Sequence, residues 1–342
     1  MALELLDVTH RYGGHAALDA VSLHVRRGDC YGFLGHNGAG KTTAMRIALG
    51  LTRATTGRVL VDGFDAALHP VEARARTGGL IETPGFHDHL SGERNLLLLA
   101  RLQGLGRAAA RPEVARVLEM VGLASAAAKR VGAYSQGMRQ RLGIAQALLG
   151  RPPYVLLDEP TNGLDPEGIE EIRCVLRVLT RDEGTTVLLS SHQLHELAGL
   201  CNRVAILRYG RVLVEEETAT LLGSGRIVLR AGDPEAARRV LAARGVTCDA
   251  VDGELLLEPR GDGGELLAAL VAGGARPEAF GVRPETLEDV YLRLTRAPAA
   301  PPDPHPVRPG AAGRPEPRAP GAALRRVTAY EGRRWTSSWA VP

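Results

Sequence analysis

Apolar and polar positions follow two rhythms along this chain. Leu3–Val8 and Val21–Val25 read as strands, the second clearly alternating. Cys30–Leu34 is a short apolar run. A helix is expected to begin at about Lys41 and to continue through Leu49. Val59-Leu60-Val61 followed by Asp62-Gly63 reads as a strand and a turn. From about Ser91 to Leu149 the rhythm becomes helical: Leu96 to Leu99 are followed by Val114, Val117, Leu118 and Val121. Short buried strands return at Tyr154–Asp158, Thr186–Ser190 and Val204–Leu207. A helix starting near Pro166, a favourable first-turn residue, separates the first two. Strands alternating with helices predict a parallel sheet, here interrupted by a helical insertion.

A second, smaller α/β pattern follows from about Arg226 to Arg296, with strands at 227–229 and 254–257 and helices at 234–244 and 264–272. Residues 297–321 then hold nine of the chain's 21 prolines and read as an extended, disordered linker. The end of the chain carries both tryptophans, Trp335 and Trp339. Leu324, Val327, Tyr330 and Trp335 fall on one face there, with arginines elsewhere, a pattern of helices that lie on membrane surfaces.

Bulk properties remove several classes. No run approaches eighteen apolar residues, so no membrane span is expected, and the N-terminus lacks the pattern of a secretory signal. The four cysteines, Cys30, Cys174, Cys201 and Cys248, form no C-x-x-C pair and read as small buried hydrophobes, with no metal site. Net charge is +3, but residues 297–342 contribute +4 (seven Arg, three acids), so the main body has no basic excess to favour nucleic acid.

The basic residues themselves are informative. There are forty arginines and two lysines, Lys41 and Lys129. Lys41 closes Gly35-His36-Asn37-Gly38-Ala39-Gly40-Lys41-Thr42-Thr43, the G-x-x-x-x-G-K-[ST] pattern of a phosphate-binding loop. A compact ammonium fits between β- and γ-phosphates where a planar guanidinium is too wide. An apolar run enters the loop and a helix leaves it, which is the context the motif requires. Downstream, Leu156-Leu157-Asp158-Glu159 is an apolar strand ending in two carboxylates. Asp158 is the expected holder of Mg²⁺, together with the Thr42 hydroxyl. Glu159, beyond the strand's end, is placed to orient and deprotonate an attacking water.

Between these motifs stands Tyr134-Ser135-Gln136-Gly137-Met138-Arg139-Gln140-Arg141-Leu142. It resembles the signature sequence of ABC-type ATPases, usually Leu-Ser-Gly-Gly-Gln, with Gln136 and Met138 departing from that form. A Ser hydroxyl and Gly backbone N–H groups at a helix start make an anion site. The Tyr-Ser-x-Gly-Met variant resembles the ATPase subunits of bacterial exporters of drugs, bacitracin-like peptides and lipids. The resemblance runs from about Leu3 to Leu294. It implies that Tyr12 stacks on adenine, that Ser135, Gln136 and Gly137 cap the γ-phosphate of ATP held by another subunit, and that Asp165, in Asn162-Gly163-Leu164-Asp165, lies in the loop crossing the dimer interface. It also implies that His192 is the switch histidine contacting the γ-phosphate. Glu82 stands where most of the family has the Gln that ligates Mg²⁺, and as a carboxylate it is expected to serve as a third metal ligand beside Thr42 and Asp158. Its run Ile81-Glu82-Thr83-Pro84-Gly85-Phe86 resembles the bacitracin-resistance and lantibiotic-immunity branch. Arg283–Leu292 looks like the closing segment of the same exporter ATPases.

The expected architecture is therefore α/β: a RecA-like P-loop ATPase of the ABC type over residues 1–222, with an antiparallel β part and a helical insertion at about 85–150. An accessory α/β domain at 223–296, a Pro-rich linker at 297–321 and a basic aromatic tail at 322–342 follow. ATP and Mg²⁺ are the expected cofactors. A second copy is expected to complete two ATP sites head to tail, driving a separate multi-spanning permease of the type-2 class from the cytoplasmic membrane face. No nucleic acid is expected, and residues 322–342 are expected to touch the membrane surface, to be the remnant of a fused permease, or to be a disordered Arg-rich end. The alternative is a soluble ABC-type ATPase acting on ribosomes or nucleic acid, though such chains usually carry two ATPase halves or long coiled coils. A passive nucleotide-binding regulator conflicts with the complete set of catalytic positions.

Overall fold

The computed structural model describes residues 2–82, 84–181, 183–192, 199–223, 225–251, 253–257, 262–284 and 286–296. The linker and tail expected at 297–321 and 322–342 lie outside them.

The central sheet contains β3 (Cys30–Leu34), β6 (Thr77–Leu80), β7 (Tyr154–Asp158), β8 (Thr186–Ser191), β9 (Arg203–Arg208) and β10 (Arg211–Glu217), in the order β10-β9-β3-β8-β7-β6. All neighbours are parallel except β10, which runs back along β9. Strands β3, β7 and β8 are buried throughout, which explains their unbroken apolar composition. Their side chains still alternate between two cores. Phe33, Tyr154, Leu156 and Leu188 join one, and Leu34, Val155, Leu157 and Leu189 the other.

The first of these cores is closed by an antiparallel sheet of β1 (Ala2–Tyr12), β2 (His15–Arg26), β4 (Thr56–Val61) and β5 (Phe64–Asp65), in the order β2-β1-β4-β5, and by α1 (Lys41–Ala48). A short helix, α2 (Pro70–Arg74), precedes β6. The second core receives the helical insertion: α3 (Gly92–Leu102), α4 (Arg107–Met120) and α5 (Gln136–Ala147). Ser91 caps α3 by accepting the Arg94 N–H at 3.2 Å. Glu113 of α4 accepts two bonds from Arg116 (2.9 and 2.7 Å) and the Gly150 N–H (3.0 Å), tying α4 to the turn after α5. The Arg116 bond outweighs partial burial and holds the Glu113 carboxyl below the usual range.

After α6 (Pro166–Arg181) and α7 (Thr218–Leu222) comes a third sheet: β11 (Arg226–Ala231), β12 (Cys248–Val251), β13 (Glu254–Leu257) and β14 (Pro277–Arg283). The order is β12-β13-β11-β14, antiparallel throughout. With α8 (Pro234–Ala243) after β11 and α9 (Gly263–Ala272) after β13, this is the split β-α-β-β-α-β unit of ferredoxin-like folds. Two of its strands, β12 and β14, are absent from the sequence reading. Ile227, Leu229, Leu241, Leu257 and Leu270 give it a core of its own. The last helix, α10 (Leu287–Arg296), does not share that core: Leu287 and Val290 pack into the core beneath the parallel sheet. By packing, the small unit expected at 223–296 therefore stops before α10.

Cys30 and Cys201 are buried as expected, with their sulfurs 3.9 Å apart, whereas Cys174 is exposed on α6. The Cys30 thiol beside it, together with burial, raises the Cys201 pKa. Among the described residues no helix is long and apolar enough to cross a membrane.

Candidate active site

The parallel strands end on one side of the sheet, and the loops leaving them build the site, as open α/β sheets require. The phosphate loop turns from β3 into α1 through Gly40, whose φ of +108° suits glycine alone. A side chain there would also be blocked, because a Cβ would lie 2.5 Å from the Ala17 carbonyl oxygen. Lys41 opens α1 and is 5% exposed. Its Nζ donates to the Gly35 carbonyl at 2.7 Å and the His36 carbonyl at 3.4 Å, and lies 3.2 Å from Glu159 Oε1. The ammonium is thus folded back over its own loop, satisfied by groups that a phosphate can replace.

Two carboxylates meet this loop from the end of β7. Asp158 Oδ2 accepts the Thr42 hydroxyl at 2.7 Å, and Oδ1 accepts the Ser190 hydroxyl. Ser190 also accepts the Glu159 N–H at 2.9 Å, so one hydroxyl on β8 fixes both acids. Glu159 takes a left-handed φ of +49°, which turns the chain sharply out of the strand. Its Oε2 receives His192 Nδ1 at 2.6 Å and the His192 N–H at 3.3 Å. Lys41, Thr42, Asp158, Glu159 and His192, five residues expected from the sequence, therefore form one connected cluster. Ser190 and Arg46 were not singled out there. A Ser-Ser-His run closing an apolar strand was the available signal for Ser190.

The Thr42 and Asp158 oxygens are hard donors beside a phosphate loop, the few-ligand arrangement in which Mg²⁺ is held jointly with a nucleotide. The expected third donor, Glu82, is engaged elsewhere. It takes a left-handed φ of +63° after β6, and its carboxylate binds the Arg46 guanidinium of α1. Tyr12 stands half-exposed at the end of β1, its ring against His10. Asn37 and Gly38 are exposed on the loop, while the His36 imidazole bonds the Asn37 carbonyl (2.7 Å) and packs edge-on to Tyr209.

The remaining expected residues form a second group. Ser135 caps α5 by accepting the Met138 N–H (3.2 Å), and Asp165 caps α6 by accepting the Gly168 N–H (3.1 Å). Gln136 Nε2 reaches the Asn162 carbonyl at 3.4 Å. Ser135, Gln136, Gly137 and Asp165 line one open depression of about 510 Å³. The segment 159–165 connects this group to the first, with the Asn162 N–H on the Glu159 carbonyl (3.1 Å). Ser135 and the phosphate loop thus belong to separate groups of residues on one chain.

A phosphate loop, a carboxylate pair and an outward-facing signature helix, set on a parallel sheet with a helical insertion, define an ATPase of the P-loop class. The ABC transporter family matches residues 18–162. Over 213 residues the chain is 43% identical to the bacitracin transport ATP-binding protein BcrA of Bacillus licheniformis, covering 62% of this chain and 69% of the relative. It is 41% identical over 295 residues to the daunorubicin resistance ATP-binding protein DrrA3 of Streptomyces coeruleorubidus, covering 83% and 93%. Among solved structures it resembles the dimeric post-hydrolysis state of the ATP-binding cassette MJ0796 bound to ADP and Pi, with a TM-score of 0.58 at 27% identity over 64% of this chain and 99% of that one. The chain belongs to the ABC transporter family, as an ATP-binding subunit that hydrolyses ATP.

Proposed function

We propose that this subunit powers export of a drug, peptide or lipid through a separate multi-spanning permease, from the cytoplasmic face of the membrane. Two copies work head to tail. The observation that carries this reading is the pair of half-sites. The phosphate loop and its acids lie in one cluster, and Ser135, Gln136 and Gly137 open outward in another, so a second copy related by a two-fold axis supplies what each site lacks. The bacitracin and daunorubicin relatives favour this reading over a ribosome- or nucleic-acid-directed ATPase.

In this reading Tyr12 stacks on the adenine. The amides of residues 35–43 and Lys41 hold the phosphates, and Lys41 exchanges its carbonyl and Glu159 contacts for phosphate oxygens. Thr42 and Asp158 would hold Mg²⁺, which would supply positive charge to offset that of the phosphates. Glu159 orients water and takes its proton. His192, tied to Glu159 through Nδ1, keeps its other nitrogen for the γ-phosphate. Ser135 and the Gly137 amide of the second copy stabilise the charge that develops there.

The test is Glu159→Gln. Turnover is expected to fall at least about 100-fold while ATP binding persists. Full hydrolysis by this variant would reject Glu159 as the base. Purification from solubilised membranes with ATP and vanadate tests the partner. A multi-spanning protein is expected, and a ribosomal partner without one would reject the exporter reading.

A further inference from the structure

His10 is 8% exposed, and neither ring nitrogen has a hydrogen-bond partner. A buried polar group without a partner is uncommon and destabilising, so its position calls for a physical account. Its notable contact is aromatic. The His10 and Tyr12 rings are 4.5 Å apart at 81°, edge to face. The two residues sit two apart at the end of β1, where the pairing with β2 shifts register between His10 and Arg11.

We propose that His10 is a positioning residue for nucleotide-base recognition, holding the Tyr12 ring in the orientation that stacks on adenine. This deepens the proposed function and rests on its reading of Tyr12. Tyr12 is 50% exposed, and just beyond it the chain turns through Gly13, at φ +58°, into β2. An aromatic side chain in that place samples several rotamers and must give up that freedom when a base stacks on it. The imidazole ring, 4.5 Å away, blocks part of that sampling beforehand. Edge-to-face geometry also sets the ring's tilt, because the electron-rich face of one ring attracts the electron-poor edge of the other. The imidazole does not touch the base. It shapes the platform from behind.

The test uses the full chain, with ATP and inorganic tripolyphosphate as probes, in His10→Leu, His10→Phe and Tyr12→Ala. His10→Leu is expected to weaken ATP about three- to ten-fold, leaving tripolyphosphate affinity and kcat unchanged while KM rises. Its melting temperature is expected to equal or exceed that of the parent, since an unpartnered polar group is removed. His10→Phe, which restores a ring edge, is expected to recover most of the ATP affinity. Unchanged ATP affinity in His10→Leu, with Tyr12→Ala weakened, would overturn the inference and leave Tyr12's stacking role standing. Unchanged affinity in Tyr12→Ala would overturn both. Equal weakening of ATP and tripolyphosphate in His10→Leu would assign His10 to the fold and also overturn it.

Discussion

Glu82 and Arg46 show how far a single residue can be read. The sequence exposes Glu82 as a departure from the family's Gln and leaves its added negative charge unbalanced. The balance comes from Arg46, thirty-six positions earlier, through a contact that no local pattern encodes. Lys41, Asp158 and Glu159 were legible because their chemistry is local: a loop, a strand end and a rare lysine. Ser190, Arg46 and His10 were not, because each matters only through what folding brings beside it. Arg46→Ala is expected to weaken ATP binding several-fold by leaving the Glu82 carboxylate unneutralised near the phosphates, and adding Glu82→Gln is expected to restore it. A titration of the two single variants and the double variant checks this, and additive losses would count against the coupling. The pair is exposed enough that thermal stability should move by less than about 1 kcal/mol.

At the scale of elements, the long apolar strands and the insertion helices were legible from periodicity, and the strands the reading missed have a common cause. Strand β6 is Thr77-Gly78-Gly79-Leu80, which carries almost no strand signal. Its glycines face close neighbours on both sides: a Cβ on Gly78 would lie 1.8 Å from the Ala147 carbonyl oxygen at the end of α5, and one on Gly79 2.5 Å from the Leu49 side chain. Strand β14 begins with a proline, contains Gly281 and is mostly exposed, so nothing in its pattern alternates cleanly. Gly78→Ala is therefore expected to cost at least about 3 kcal/mol in chemical denaturation, through displaced backbone rather than lost area. Glu113 makes the matching case for the insertion. Its carboxyl is held low in the folded chain, so it stabilises above its ordinary value of about 4.3, and the contribution fades as pH falls through the lower folded value. Glu113→Gln is expected to cost about 2 kcal/mol near pH 7. The gap in melting temperature between parent and variant should close as pH is taken below 4, and a gap constant across that range would refute the assignment.

For the whole molecule, fold class and the ATPase assignment were both open to sequence reading, since motif order along the chain carries them. The ferredoxin-like unit was only half visible, because its outer strands are little buried. In the proposed function the two groups of site residues make catalysis a property of pairs. At low protein concentration the rate is expected to rise with about the square of concentration, becoming linear once dimers dominate. A rate strictly proportional to concentration throughout would mean that one chain suffices.

The contact between Lys41 and Glu159 has a consequence for timing. In the proposed function, the group that grips phosphate and the group that activates water restrain one another through this contact. An arriving phosphate competes with the carboxylate for the ammonium, so capture of the substrate and release of the base become a single exchange. On that reading, binding of the nucleotide is itself a step that arms the base.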